Sequence, residues 1–109
     1  MSTDKNDVVI VELDRPRELR FGHKALKKMS ALMGKSVEDI GGDELNLEEI
    51  EKVFFYGLSK DASDNGETLT LEMMEDILDH APSYPYLMQK MNEAFAVAFG
   101  GMGDEGNQQ

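Results

Sequence analysis

The hydrophobic positions along this chain change spacing after residue 21. Before it, "VVIVEL" (8–13) is a short, β-branched run of the kind that forms a strand. "DRPR" follows, with Pro16 suited to a turn. "ELRF" (18–21) supplies a second strand, so 8–21 reads as a β-hairpin; one strand leading directly into a helix is the alternative. Beyond it the apolar residues recur at three and four. In "GHKALKKMSALMG", Ala25, Leu26, Met29, Leu32 and Met33 form one stripe. Gly34 is placed to close that helix in a left-handed conformation. Ser36 then caps a short turn, "VEDI" (37–40), which Gly41 and Gly42 end.

The clearest helix is "NLEEIEKVFFYGLSK". Asn46 is its N-cap, and Glu49 three residues on completes a capping box. Leu47, Ile50, Val53, Phe54 and Leu58 make the inward stripe, which Phe55 and Tyr56 widen. Gly57 costs helix stability and allows close packing against a neighbour. "TLEMMEDILDHA" is the next helix, with Thr70 as cap, Glu72 near the positive end of the dipole, and Leu71, Met74, Ile77 and Leu78 inward. Pro82 stops it. The last helix, "SYPYLMQKMNEAFAVAFG", has Ser83 as cap and Pro85 in its first turn. Its inward residues are Tyr84, Leu87, Met88, Met91, Phe95 and Phe99. The fold class is therefore mainly α: a small bundle of about four helices with a short N-terminal β-hairpin or strand. One domain is expected over 8–100, between a disordered N-terminus (1–7) and a disordered tail (101–109) with nothing to bury.

Composition narrows the function. A chain of 109 residues supports one modest core. It has no cysteine, hence no disulfide and no thiolate metal site. No apolar run reaches membrane-span length, and "MSTDKND" is no secretory signal. The net charge of −11 is uneven: residues 1–36 hold eight Lys/Arg and five Asp/Glu, and residues 37–109 hold three and seventeen. An acidic body repels phosphate backbones, which argues against nucleic acid as partner. The basic stretch from Arg15 to Lys35 pairs with the acidic remainder, faces an acidic partner, or is a solvated face; the last is the plainest reading. His23 and His80 lie on separate segments without metal-ligand spacing and read as helix-end or surface residues. There is no Ser/His/Asp arrangement and no glycine-rich phosphate loop. The carboxylates fall on solvent faces. A non-enzymatic protein without a cofactor is expected. Of the eight methionines, Met29, Met33, Met73, Met74, Met88 and Met91 fall in helices and fill core or line an adaptable groove. Phe55, Tyr56 and Met73 are the candidates for partner binding, with Phe55 and Met73 lying off the main stripes.

One segment imitates a metal site. "DASDNGETLTLE" (61–72) nearly fits a calcium loop, with Asp61, Ser63, Asn65, Glu67 (through its carbonyl) and Glu72 at ligand positions, Leu69 at the water-mediated one, and Gly66 sixth. Against it, only Asp61 and Glu72 are charged ligands in the strict positions. Thr68 replaces the usual aliphatic eighth residue, Lys60 puts a cation beside the site, and no second loop accompanies it. Glu72 also serves the start of the following helix. A polar loop, "DASDNGE", with a turn at Asn65-Gly66, is the favoured reading. A calcium-binding EF-hand-like helix–loop–helix interaction module is the alternative.

The order of the pieces resembles a known family. "ELRFGHKALKKMSALMGKSVEDIG", a helix running into "VFFYGLSKD", and then "LTLEMMEDILDHA" are similar to the tail assembly chaperones of long-tailed (siphovirus-type) bacteriophages and prophages. The resemblance spans about Val8 to Phe99 and includes Tyr56-Gly57-Leu58 in the place of a "YxGL"-type segment, without its intervening residue. It implies a chaperone that binds the aggregation-prone tape measure protein in the host bacterial cytoplasm, keeps it soluble while the tail tube assembles, and is absent from the mature virion. The tail tube protein, a frameshifted longer form of the chain itself and self-association are the further partners it raises. The segment 59–69 is longer than the polar connection of that family, and that excess creates the calcium-like pattern.

Overall fold

A computed structural model of the chain describes residues 8–34, 36 and 45–99. The expected turn at 37–40, the terminal segments 1–7 and 101–109, and Gly100 lie outside the described residues.

Strand β1 (Val9–Glu12) pairs antiparallel with β2 (Pro16–Leu19), with Val9 opposite Leu19 and Val11 opposite Arg17. Alternation along the strands sends Val9, Val11, Arg17 and Leu19 to one buried face. Pro16 is not the turn residue expected of it. It begins β2, a strand position where proline is tolerated, and the chain reverses through Leu13, Asp14 and Arg15. A two-stranded sheet is marginal in water. This one is supported by helices on its buried face.

Four α-helices follow among the described residues. Helix α1 (His23–Met33) ends at Gly34, whose φ of 69° gives the expected left-handed terminus. Helix α2 spans Leu47–Asp64. Its capping box is complete: the Asn46 side chain accepts from the Glu49 N–H at 2.8 Å, and the Glu49 side chain accepts from the Asn46 N–H at 3.0 Å. A 3₁₀ turn (Leu71–Met73) leads into helix α3 (Met74–Leu78). Thr70 holds the extended backbone of a cap, but its side chain makes no capping bond. Helix α4 (Tyr84–Ala98) starts at Ser83, whose hydroxyl accepts from the Tyr86 N–H at 3.3 Å. The mainly α bundle with an N-terminal hairpin is therefore the observed fold.

Strand β2 packs on α2, β1 packs on α4, and α1 and α3 pack on α2. The core joins the hairpin's Val9, Val11 and Leu19 to Met29 of α1, Ile50, Val53, Phe54 and Leu58 of α2, Met74 and Ile77 of α3, and Leu87, Met91 and Phe95 of α4. Phe21 stacks on Phe95 with ring centroids 4.5 Å apart and planes 9° from parallel. Four residues expected inside are exposed: Leu32, Leu47 (66%), Leu71 and Tyr84. Each lies in the first or last turn of its element, where the helix has passed the edge of the core.

Hairpin and helix approach closely at Gly57. A methyl group there would stand 2.5 Å from Leu19 Cδ1 and 2.8 Å from Phe21 Cε1. The Arg20 N–H also donates to the Gly57 carbonyl at 2.9 Å. The close approach read from the sequence is thus made by the end of β2.

Candidate functional site

Two clusters of polar side chains flank this crossing. The first sits at the hairpin turn. Helix α2 does not end near Lys60; it continues through Asp61, Ala62, Ser63 and Asp64. It stops in a Schellman-type motif: the Glu67 N–H donates to the Ala62 carbonyl at 2.8 Å, and the Gly66 N–H to the Ser63 carbonyl at 3.1 Å. Gly66 takes φ 72°. The glycine that stood sixth in the calcium-like pattern is therefore a helix C′ glycine. The polar loop expected over 61–67 is instead a helical turn and its cap, and the extra length in 59–69 is largely helix.

This ending places Asp61 and Glu67 against the hairpin. Arg15 donates to Asp61 at 2.6 Å and to both Glu67 oxygens at 2.9 and 3.1 Å. Arg17 donates through two nitrogens to Asp14, at 2.8 and 2.9 Å, and to Glu67 at 2.9 Å. The Glu18 N–H donates to Asp61 at 3.3 Å. Arg17 is 3% exposed and the Asp61 side chain 12%, so the expectation that carboxylates stay on solvent faces fails here. Hydrogen bonds from Arg15, then Arg17, hold the Glu67 carboxyl below the usual carboxylate range. The Arg17 hydrogen bond does the same for Asp14. Both guanidinium groups are pushed further up, Arg15 mainly by Glu67 and Arg17 mainly by Asp14.

The calcium-pattern residues are thus distributed among other tasks. Asp61 and Glu67 are bound by arginines, the Asn65 side chain donates to the Asp61 carbonyl at 2.8 Å, Ser63 is exposed, and Glu72 is exposed in the 3₁₀ turn. Among the described residues, no group of three or more His, Asp or Glu side chains is placed to hold a metal ion. His23 is exposed at the start of α1, and His80 is exposed with Nδ1 2.9 Å from the Asp76 carbonyl.

The second cluster surrounds a cavity of about 560 Å³ between the start of α1 and the outer face of α2. From the first side come Arg20, Gly22, His23, Lys24 and Lys28. From α2 come Phe55, Tyr56 and Ser59, with Lys60, Ser63 and Asp64 one turn on. Spacings of four along α2 bring these positions onto one face. Phe55 and Tyr56 meet edge-on, centroids 5.1 Å apart at 65°. Lys60 is held by Asp64 at 3.2 Å, and the Ser59 hydroxyl donates to the Phe55 carbonyl at 2.6 Å. Among the described residues, no carboxylate lies within ion-pair distance of Arg20, Lys24 or Lys28. Phe55 and Tyr56, two of the three partner-binding candidates, line this cavity. Met73 does not; it is 40% exposed on the 3₁₀ turn. The cations of the cavity were visible in sequence only as part of a basic stretch, because their convergence depends on how α1 crosses α2.

Among the described residues no helix is long and apolar enough to cross a membrane. No family model, curated protein or solved structure matches this chain.

Proposed function

We propose that this protein is a tail assembly chaperone of a long-tailed bacteriophage or prophage, which binds the tape measure protein in the host cytoplasm and keeps it soluble while the tail tube forms. The reading starts from the ordered resemblance over Val8 to Phe99. The observation that supports it best is the position of Tyr56-Gly57-Leu58. Leu58 is core, Gly57 carries the hairpin–helix crossing, and Tyr56 turns toward the cavity. One segment of the resemblance therefore also ties scaffold to candidate binding surface. A net charge of −11 suits an assembly factor that must stay dispersed beside an aggregation-prone client. Phe55, Tyr56 and Met73 are the apolar side chains offered to that client. No step of this role needs a cofactor or a catalytic group. The tail tube protein and a longer, frameshifted form of the chain are further partners under the same reading.

Co-expression with the tape measure protein encoded beside it is the test. The expected result is a larger soluble fraction of that protein and a complex that co-purifies. An insoluble client with no complex would overturn the proposal. Mass spectrometry of purified particles adds a second check, because a chaperone is absent from them and a structural subunit is present. The calcium reading gains no support from the geometry, since a bound ion would have to displace Arg15 from the Asp61 carboxylate and unwind the last turn of α2.

A further inference from the structure

We infer that the cavity between the start of α1 and the outer face of α2 is a docking site for an acidic peptide segment of a partner protein, one that presents an apolar side chain beside one or two carboxylates.

Charge is the first ground. The chain carries eleven Lys/Arg against twenty-two Asp/Glu, yet Arg20, Lys24 and Lys28 converge on one cavity without a carboxylate partner among the described residues. The arginines only a few residues earlier, Arg15 and Arg17, are fully engaged. In so acidic a protein, a group of unpaired cations leaves local positive potential facing an open concavity, and anionic groups are drawn to it.

The lining is the second ground. Phe55 and Tyr56 form an apolar wall beside those cations. A lone inorganic anion would use the cations and leave the wall idle. An acidic side chain next to a leucine or phenylalanine uses both, the usual division of labour in a binding pocket. The α2 side of the groove, from Phe55 to Asp64, extends over roughly 13 Å at the helical rise, enough for about four residues of extended chain.

The third ground is range. Charges separated by more than about 8 Å are largely screened at physiological salt. A short acidic determinant seated in the cavity meets its cations at contact distance; Asp64, the carboxylate in the lining, is neutralised by Lys60, and more distant acidic groups act through that screening. A nucleic acid would carry its phosphates across the acidic remainder of the surface. The geometry thus selects a short anionic segment and disfavours a polyanion. The inference does not depend on the tail-assembly proposal, since the same chemistry recognises the segment whatever protein bears it.

The experiment uses the full chain and a fluorescein-labelled synthetic peptide with a Glu-Glu-Leu-Phe core, followed by anisotropy. Saturable binding is expected, weaker by about tenfold or more for a Gln-Gln-Leu-Phe control and for the Lys24→Glu/Lys28→Glu double variant, and falling steeply with added salt. Both lysines are exposed, so the variant should keep its thermal midpoint. Arg20→Gln is the milder second variant, expected to weaken binding by less. Amide NMR shifts on peptide addition should concentrate at 20–28 and 55–64. Equal affinity for the neutral control or for the double variant would overturn the inference, as would shifts centred elsewhere. Displacement of the peptide by millimolar phosphate or AMP, or tighter binding of a single-stranded oligonucleotide, would assign the cavity to a different ligand and overturn it equally. Peptide binding by a chain that fails to solubilise the tape measure protein would leave this inference standing and remove only the tail-assembly proposal.

Discussion

Arg15 and Arg17, at the turn of the hairpin, and Arg20, Lys24 and Lys28, just past its other end, belong to the same basic stretch but are used in opposite ways. The first pair is spent within the fold, bridging Asp14, Asp61 and Glu67. The second group faces a cavity without ionic partners among the described residues. The difference lies in what stands opposite. Helix α2 ends beside the hairpin turn and delivers Asp61 and Glu67 to it, whereas its outer face offers the other cations aromatic rings, hydroxyls and one carboxylate, Asp64, already held by Lys60. Charge composition alone would score the two groups alike. Only the first is tied by ion pairs to other elements of the fold among the described residues.

Removing a cation from each cluster should make that contrast measurable. The largest loss is expected from Arg17→Ala, about 2–3 kcal/mol in chemical denaturation, because a buried guanidinium with charge-assisted bonds to two carboxylates leaves both without it. A loss below about 0.5 kcal/mol would place the ionic cluster among ordinary surface pairs. Gly57→Ala comes next. The added methyl clashes with Leu19 and Phe21, and overpacking of about 1–3 kcal/mol outweighs the gain of up to about 1 kcal/mol in helix propensity. The net expectation is destabilisation of about 1–2 kcal/mol, read as a lower denaturation midpoint; a stabilised variant would mean that the crossing relaxes freely.

Acid should weaken the hairpin cluster selectively. Glu67 and Asp14 have folded-state pKa values below their ordinary ones. Their contribution is therefore fully present above the ordinary carboxylate range, near pH 4, and is lost as pH falls below it through the depressed values. Arg17→Ala should flatten this acid-side loss of stability, because it removes a common partner of both carboxylates. An unchanged slope would break the link. The smallest effect is expected from Lys24→Ala, within about 0.5 kcal/mol of wild type. A substantial loss there would show that the cavity cations also hold the fold together, and would erase the contrast between the two clusters.

Much of the architecture was legible locally. The Asn46–Glu49 capping box, the Ser83 cap, the left-handed Gly34 and the close approach at Gly57 each depend on a few neighbouring residues or on one residue type. The buried stripe of α2 followed from spacing, because period-matched apolar residues have one face to hide. Errors gathered where local signals gave two answers. Gly66 stands sixth in the calcium-like pattern and in an expected loop turn, and the Ala62–Glu67 hydrogen bond shows that its backbone closes α2. Leu32, Leu47 and Tyr84 match the inward spacing yet lie past the edge of the core.

The order and type of the described elements, several of their caps and much of the helical core could be read in one dimension, since these rest on hydrogen bonds and periodicities that span a few residues; the buried face of the hairpin could not. Tertiary structure alone decided which charges meet. Arg15 finds Asp61 and Glu67 across 46 and 52 positions, chosen from twenty-two acidic residues by the way β2 lies on α2. The way α1 crosses α2 leaves Arg20, Lys24 and Lys28 facing an open cavity. Ion pairing is set by distances in space, and those distances exist only after the hydrophobic faces have fixed how hairpin and helices pack.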